Sequence, residues 1–281
     1  MSEERGYEKS RPLLDRVLAG FLEDSRRYRD LEIPEDEEDK RQLLRSLMNI
    51  RMPRPMDPEL LALQDAYLRA RAEERGIVTL DEIPTVAESL GSTQPFADKL
   101  SIWQGDITRL AVDAIVNAAN SRMLGCFQPC HSCIDNCIHT YAGVELRAEC
   151  DRQMDALSRH YKTDYEQPTA IPMLTKGYAL PAKHVVHIVG PIVDGPLTPE
   201  LEGELAACYR NTLILCSSEG VRTVAFCSIS TGFFRFPKER ACPIAIRAVQ
   251  EWLKVEPDKF DRAIFTVFSD RNRELYEQEL R

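Results

Sequence analysis

The sequence predicts an α/β fold with a largely parallel sheet, preceded by a smaller helical region. From about residue 100 onwards, strand-like apolar segments alternate with helical patterns, which is typical of a parallel sheet with helices on both faces. Apolar residues make up 43% of the 281 residues, enough to bury a core. Ligands of such sheets bind beyond the carboxyl ends of the strands, so we expect a site in the loops that follow strands.

The N-terminal region contains three apolar stripes at helical spacing. The first covers residues 13–22, and the second covers residues 43–48 behind an acidic run that suits a helix N-terminus. The third follows Asp57 as N-cap and Pro58 at the first helical position, and it ends near Gly76. Because the region holds no cluster of chemically reactive residues, we interpret it as a structural or partner-docking extension.

The remaining elements follow a stretch at residues 89–95 that is rich in glycine, serine and proline and is typical of a linker. We therefore predict a helical region at residues 1–92 and a second domain at residues 93–281. Predicted strands cover residues 100–103, 114–116, 169–175, 185–189, 221–227 and 263–268. Predicted helices cover residues 143–159, a segment that Thr198 and Pro199 open, residues 237–254, and the C-terminus.

Charge and cysteine usage limit the class of protein. The net charge of −9 argues against binding to a nucleic-acid backbone, which requires a basic face. No segment has the about 20 apolar residues that span a bilayer, and the N-terminus lacks a signal-peptide pattern. The cysteines number nine, an odd count, and four of them bunch in one short stretch, which favours metal binding in a reduced cytoplasmic protein over disulfides.

The densest group of metal-binding side chains lies at residues 125–143, which hold four cysteines and two histidines. Cys126, His131 and Cys133 follow the order Cys-x4-His-x-Cys. Thiolate and imidazole are good zinc ligands, and three protein ligands with an open position are typical of a catalytic zinc. We therefore predict a metal-bearing loop after a strand.

Several alternatives stay open for this stretch. Cys130 and Cys137 are rival ligands, and a fourth protein ligand would indicate a structural zinc site instead. Free buried cysteines are also common in proteins. We expect His139 to pack on the helix after the loop rather than to bind metal. A Cys-His nucleophile pair lacks an obvious third group to orient the histidine.

Three loops that follow predicted strands could bind a ligand. Asp106 follows a glycine and can present a carboxylate, although Gly-Asp is also an ordinary turn. Asn120 can bind a sugar hydroxyl or tie down its own loop. Residues 228–237 lie before a helix, where free N–H groups suit a diphosphate; the alternative is a simple helix cap. The sequence contains no P-loop and no GxGxxG motif.

Several of these segments together resemble a macrodomain, in the order of that family. They are residues 105–108, 113–120, 177–182, 186–191 and 229–232. The resemblance extends from about residue 100 to the C-terminus and implies a three-layer α/β/α sandwich with a mixed, mostly parallel sheet. Residues 125–139 depart from the glycine-rich loop of most macrodomains and resemble the zinc-dependent branch of the family. Members of that branch carry a helical N-terminal region and remove mono-ADP-ribose from proteins.

The resemblance implies the residues that bind ADP-ribose. They are Asp106, Ile107, Asn120, Ile134, Asp135, Asn136, Ser230, Thr231, Gly232, Phe233 and Phe234. Asp106 would accept a hydrogen bond from the adenine amino group, and Asn120 and Phe234 would lie at the distal ribose. Residues 134–136 would line the ribose and diphosphate, and residues 230–233 would cradle the diphosphate.

The resemblance also implies one zinc ion per chain, bound by Cys126, His131 and Cys133. Asp135 and Asn120 are the expected catalytic residues, with Asp135 orienting a zinc-bound group or relaying a proton.

The predicted function is a zinc-dependent hydrolase that removes mono-ADP-ribose from proteins, acting on ester linkages to acidic side chains. An O-glycosidic linkage to serine is a harder alternative. The rival functions are a non-catalytic ADP-ribose-binding module with structural zinc and an O-acetyl-ADP-ribose deacetylase. The expected partners are ADP-ribose and a mono-ADP-ribosylated protein, without nucleic acid or membrane, for a cytoplasmic monomer.

Overall fold

The computed structural model describes residues 2–161 and 163–281, with only the backbone described for residues 2–8. The helices of this part are α1 (Ser2–Asp24), α2 (Glu37–Ile50), α3 (Pro58–Arg75), α4 (Val86–Leu90), α5 (Ile134–Ala142), α6 (Val144–His160), α7 (Pro199–Ser218), α8 (Lys238–Val255) and α9 (Asp270–Leu280). The strands are β1 (Val78–Thr79), β2 (Leu100–Gln104), β3 (Leu110–Ala111), β4 (Ala114–Ala118), β5 (Met173–Lys176), β6 (His184–Ile188), β7 (Thr223–Phe226) and β8 (Arg262–Val267). Among the described helices, none is both long and apolar enough to cross a membrane.

The chain packs into two compact units, each built from more than one segment. The first unit contains the described residues up to Ile77, Leu124–Tyr165 and Gly177–Pro181, and the rest of the chain forms the second. The stretch at residues 89–95 lies in the second unit, where the Ala87 N–H donates to the Ala97 carbonyl at 3.1 Å across it. The predicted domain ranges 1–92 and 93–281 stay a prediction.

The first unit has an apolar core to which α1, α2 and α3 contribute. Its buried residues are Leu14, Val17, Leu18, Phe21, Leu22, Leu44, Leu47, Met48, Tyr67, Leu68 and Ala179. The predicted helix signals are confirmed. Asp57 caps α3 through the N–H groups of Glu59 and Leu60, Pro58 occupies the first position, and the helix ends before Gly76.

The stretch at residues 125–143, predicted as a metal-bearing loop, is a loop only up to Cys133. The rest forms α5, because the Cys133 sulfur accepts a hydrogen bond from the Asn136 N–H at 3.4 Å and caps the helix. Gly143 separates α5 from α6 with a φ of 92°, a value that favours glycine. His139 is buried within α5, as expected from the sequence.

The second unit contains a six-stranded sheet in the order β2-β8-β7-β4-β6-β5. All neighbouring pairs are parallel except β5 and β6, which are antiparallel. This arrangement confirms the mostly parallel sheet that the alternation of strands and helices in the sequence predicted. The loops that follow β2, β4 and β7 contain those predicted ADP-ribose contacts that lie in this unit.

Three polar side chains join β4, β6 and β5 inside this sheet. His187 is fully buried; its Nδ1 lies 3.1 Å from the Asn117 amide nitrogen and its Nε2 lies 3.0 Å from the Thr175 hydroxyl. Burial lowers the pKa of His187 to about 3. The ring is therefore neutral, with Nδ1 accepting from the amide and Nε2–H donating to the hydroxyl.

Candidate functional site

Three of the sequence-predicted metal ligands come together in the first unit. The donor atoms of Cys126, His131 and Cys133 all lie within 4.8 Å of one another, and all three residues are half-buried. Cys126 Sγ lies 3.6 Å from His131 Nδ1. A tetrahedral zinc with ordinary bond lengths would separate its sulfur and nitrogen ligands by about 3.6 Å. Two thiols and an imidazole at this spacing fit zinc, so the residues present suit the predicted ion.

Within the described residues, no further histidine, cysteine or carboxylate belongs to this donor cluster. Burial, with smaller contributions from the neighbouring Cys126 and Asp135, raises the pKa of the Cys133 thiol to about 12. Without a metal, Cys133 is therefore a neutral thiol that accepts a hydrogen bond from the Asn136 N–H at the start of α5.

The rival ligand Cys130 is directed away from the cluster. Its φ is 52°, and its sulfur lies 3.2 Å from the Ser46 hydroxyl and 3.3 Å from the Gln42 carbonyl oxygen. Its N–H donates to the Asn49 side-chain oxygen at 2.9 Å. Cys130 is therefore a contact of the loop with α2, which leaves three protein donors in the cluster.

The other rival ligand, Cys137, lies one turn into α5 and also stands outside the cluster. Its sulfur is 3.5 Å from Arg45 Nη2. The structure thus separates the four cysteines of this stretch into two donors and two cysteines that face α2.

Asn136 is fully buried and holds the predicted metal-bearing loop at residues 125–133, called the metal loop below, in place. Its Nδ2 donates to the carbonyls of Cys126 and Gln128 at 3.3 and 2.9 Å. Its Oδ1 accepts from Arg45 Nη2 at 2.8 Å. The side-chain amide therefore serves the loop itself, and the predicted contact of Asn136 with ADP-ribose stays a prediction.

Asp135 lies in the first turn of α5, two residues after the predicted ligand Cys133. It is buried, and its Oδ1 is 3.6 Å from His139 Nε2 one turn further along the helix. The His139 ring in turn lies against Gly125, where an added Cβ would be 2.7 Å from the ring. The half-buried Ile134 precedes Asp135 as the first residue of α5. This packing fixes the loop and the Asp135 backbone relative to one another.

Arg147 on α6 is a buried residue of the site that sequence reasoning missed. Its Nε donates to the Leu124 carbonyl at 2.8 Å, at the entrance of the metal loop, and its Nη1 donates to the Met48 and Arg51 carbonyls at 3.0 and 2.7 Å. Its guanidinium also lies over the Phe127 ring, 4.3 Å from the centroid. Burial, partly offset by the Asp135 carboxylate, lowers the pKa of Arg147 to about 10. An arginine beside the buried stripe of α6 was the available sequence signal.

The second unit carries the other predicted ADP-ribose contacts. The Asp106 carboxylate caps a short 3-10 helix, accepting from the Thr108 N–H at 3.0 Å and the Thr108 hydroxyl at 2.7 Å. Ile107 is buried in that helix. Asn120 follows β4, and its Oδ1 accepts from the Arg122 N–H at 3.0 Å. Both polar residues thus shape their own loops, and their predicted roles toward adenine and ribose stay predictions.

The loop between β7 and α8 contains the predicted diphosphate cradle. Ser230 is buried with a φ of 62°, and its carbonyl accepts from the Phe236 N–H at 3.0 Å. The Thr231 hydroxyl donates to the Ser228 carbonyl at 2.9 Å. An added Cβ on Gly232 would meet no atom within 4 Å, so the backbone is open to a close approach. These features suit the prediction of an anion-binding loop.

The two phenylalanines of this loop differ in exposure. Phe233 is 72% exposed, whereas Phe234 is half-buried and its carbonyl accepts from the Val193 N–H at 2.9 Å. The sequence analysis assigned no contact to Gly190, where a Cβ would lie 2.1 Å from the Ser230 hydroxyl oxygen. Only glycine at that position allows the buried Ser230 to pack as it does.

Comparison with known proteins shows relatives along almost the whole chain. Residues 116–245 match the Macro domain family. The chain is 43% identical over 261 residues to the protein-ADP-ribose hydrolase of Treponema medium, covering 92% of this chain and 95% of that protein. It is 38% identical to the protein-ADP-ribose hydrolase of Staphylococcus aureus strain MRSA252, covering 93% and 94%.

The fold is similar to that of solved macrodomains. The crystal structure of the Trypanosoma brucei macrodomain in complex with ADP-ribose matches with a TM-score of 0.62 and 27% identity, covering 87% of this chain and 96% of that chain. The predicted three-layer α/β/α fold with a mixed, mostly parallel sheet is confirmed. Because curated relatives above 30% identity align with more than nine-tenths of its length, this chain belongs to the macrodomain family.

Proposed function

We propose that this chain is a hydrolase that releases mono-ADP-ribose from modified proteins and uses one zinc ion held by Cys126, His131 and Cys133. The observation that carries the proposal is the cluster of three donor atoms within 4.8 Å. Curated relatives named protein-ADP-ribose hydrolase support the reaction. A site of three protein ligands is typical of a catalytic zinc, because the fourth position is open to water or substrate.

A zinc ion held by Cys126, His131 and Cys133 would act as a Lewis acid and would lower the pKa of a hydroxyl or water. The chain itself supplies the groups that orient the reactants. Asp135, two residues beyond Cys133, would accept a hydrogen bond from the activated group and relay its proton. Asn120 would hold the distal ribose through its side-chain amide, and the open backbone at Gly232 would accept the diphosphate.

We further propose that the preferred linkage is an ester to aspartate or glutamate. A carboxylate is a better leaving group than a serine alkoxide, so its departure needs less assistance from a protein acid. Hydrolysis of the ester yields ADP-ribose and the free carboxylate side chain. No basic face is required for this substrate, which agrees with the net charge of −9.

The test is release of ADP-ribose from one protein modified on acidic side chains and from another modified on serine. We expect faster release from the ester-linked substrate, loss of release on chelation, and recovery when zinc is added back. Unchanged turnover in metal-free protein would overturn the zinc proposal. Tight ADP-ribose binding without release from either substrate would favour a binding module instead.

Matched serine substitutions identify the zinc ligands. We expect Cys133→Ser to lose bound zinc and to lower kcat by at least about 100-fold, because a hydroxyl is a poor zinc ligand. Cys130→Ser makes the same chemical change in the same loop, at a sulfur that faces Ser46 and Gln42. It should retain zinc and activity. Full zinc occupancy in Cys133→Ser, measured by elemental analysis, would remove Cys133 from the ligand set.

A further inference from the structure

Helix α2 of the N-terminal region contacts the metal loop through polar side chains. Arg45 Nη2 donates to the His131 carbonyl at 2.8 Å and to Asn136 Oδ1 at 2.8 Å, and Arg45 Nε is 3.3 Å from the same oxygen. Asn136 in turn donates to the carbonyls of Cys126 and Gln128. One guanidinium is thus linked to the backbone of two predicted zinc ligands, directly at His131 and through Asn136 at Cys126.

Two neighbours of Arg45 on α2 hold the middle of the loop. The Ser46 hydroxyl lies 3.2 Å from Cys130 Sγ, and the Asn49 Oδ1 accepts from the Cys130 N–H at 2.9 Å. Cys130 has a φ of 52°, an unfavourable conformation for a residue with a side chain. These contacts therefore stabilise a strained residue between the ligands Cys126 and His131.

The charge environment distinguishes Arg45 from the arginine one turn earlier on α2. Arg41 forms ion pairs with Glu37 and with Glu74, the latter at 3.1 Å. Arg45 forms no ion pair in the part of the chain that the structure describes, and its hydrogen-bond acceptors are neutral groups of the loop and of the first turn of α5. Its position is therefore explained by the metal loop rather than by packing of the helical region alone.

We infer that Arg45 is a positioning residue of the zinc site, and that α2 is the platform on which the metal loop is assembled. The inference rests on the proposed zinc function. Mutation of residues that orient metal ligands without binding the metal typically weakens metal affinity by 10- to 100-fold. Arg45 is suited to this role because its planar fork spans two acceptors at once, which a lysine ammonium on a flexible stem does not reproduce.

The experiment measures zinc dissociation constants by competition with a chromophoric chelator for the wild type, Arg45→Met, Arg45→Lys and Arg41→Met. We expect Arg45→Met to bind zinc about 10- to 100-fold more weakly. Arg45→Lys should be intermediate. Arg41→Met removes an arginine of the same helix that is ion-paired with Glu37 and Glu74, and its zinc dissociation constant should stay within about threefold of the wild-type value.

Two further readouts separate positioning from general stability. In the zinc-free proteins, hydrogen exchange at residues 126–133 should be faster in Arg45→Met but unchanged in Arg41→Met. At saturating zinc, Arg45→Met should recover most of the wild-type kcat, since Arg45 is not proposed to touch the substrate. Circular dichroism checks that each variant folds. If Arg45→Met does not fold, Arg45→Lys is compared with the wild type instead.

The outcomes are distinguishable. Wild-type zinc affinity together with wild-type loop exchange in Arg45→Met would overturn this inference and leave the zinc proposal standing. An equal loss of affinity in Arg41→Met would also overturn it, because the effect would then belong to the helical region as a whole. A wild-type chain that binds no zinc would overturn the proposed metal site and this inference with it.

Discussion

Gly125 shows how strongly one residue constrains the metal loop. Its φ is 79°, and a Cβ at this position would lie 2.7 Å from the ring of the buried His139. The loop therefore starts directly against the His139 ring of α5, one residue before the proposed zinc ligand Cys126. Glycine is required here both for the backbone conformation and for the close approach.

We predict that Gly125→Ala lowers the free energy of unfolding by about 2–5 kcal/mol and weakens zinc binding. Alanine at positive φ costs about 1–2 kcal/mol, and the clash with the ring adds about 1–3 kcal/mol. The matched control is Gly195→Ala, because Gly195 has a φ of 111° but no atom within 4 Å of an added Cβ. Denaturant unfolding that gives equal losses for the two variants would show that the clash with His139 contributes nothing.

At the level of single residues, the sequence identified the donor types but not all their directions. Four cysteines share one short stretch, and spacing alone left Cys130 and Cys137 as rivals. The backbone angle of Cys130 and its contacts with α2 decide that its sulfur faces away from the cluster. Side-chain direction depends on φ and on the packing partner, neither of which spacing specifies.

Among the elements, helix starts and the parallel strands were the most predictable. The Asp57-Pro58 and Thr198-Pro199 signals both occur at observed helix starts, because capping and the fixed proline φ are local effects. The start of α5 was missed because its cap is the Cys133 sulfur, an unusual capping group. The sheet also contains a buried polar cluster, in which His187 of β6 contacts Asn117 of β4 and Thr175 of β5.

We predict that the buried cluster of His187, Asn117 and Thr175 makes the stability of the protein sensitive to acid. The pKa of His187 is about 3 in the folded state and 6.5 in the unfolded reference. The unfolded chain therefore binds the extra proton between these values, and stability falls as the pH drops below 6.5. The slope from this group is about 1.4 kcal/mol per pH unit. Protonation would also place an N–H against the Asn117 amide donor.

The measurement is the free energy of unfolding at pH 7.5, 6.5 and 5.5 in the presence of a chelator, which removes any contribution from bound metal. His187→Gln cannot titrate in this range, so its stability should fall less steeply between pH 6.5 and 5.5 than that of the wild type. Equal slopes for the two proteins would show that His187 is not the acid-sensitive group.

For the whole molecule, we predict that zinc stabilises the folded chain. A ligand that binds only the folded state adds about 2.7 kcal/mol at 100 times its dissociation constant. For a chain of this size we expect a rise in unfolding temperature on the order of 5 °C. Differential scanning calorimetry with and without zinc measures the rise, and His131→Ala should abolish it. The same rise in His131→Ala would place the stabilising zinc elsewhere.

Sequence patterns were sufficient to predict the α/β class, the mostly parallel sheet, the helix starts at Asp57 and Thr198, and the residue types that could bind a metal. These properties follow from hydrophobic period, capping and side-chain chemistry, which act over a few residues. Tertiary packing, in contrast, brings together the side chains of Cys126, His131 and Cys133 and places Arg45 against the loop. Arg45 and Asn136 are 91 residues apart in the chain. Contacts of that separation arise from packing, which no local pattern encodes.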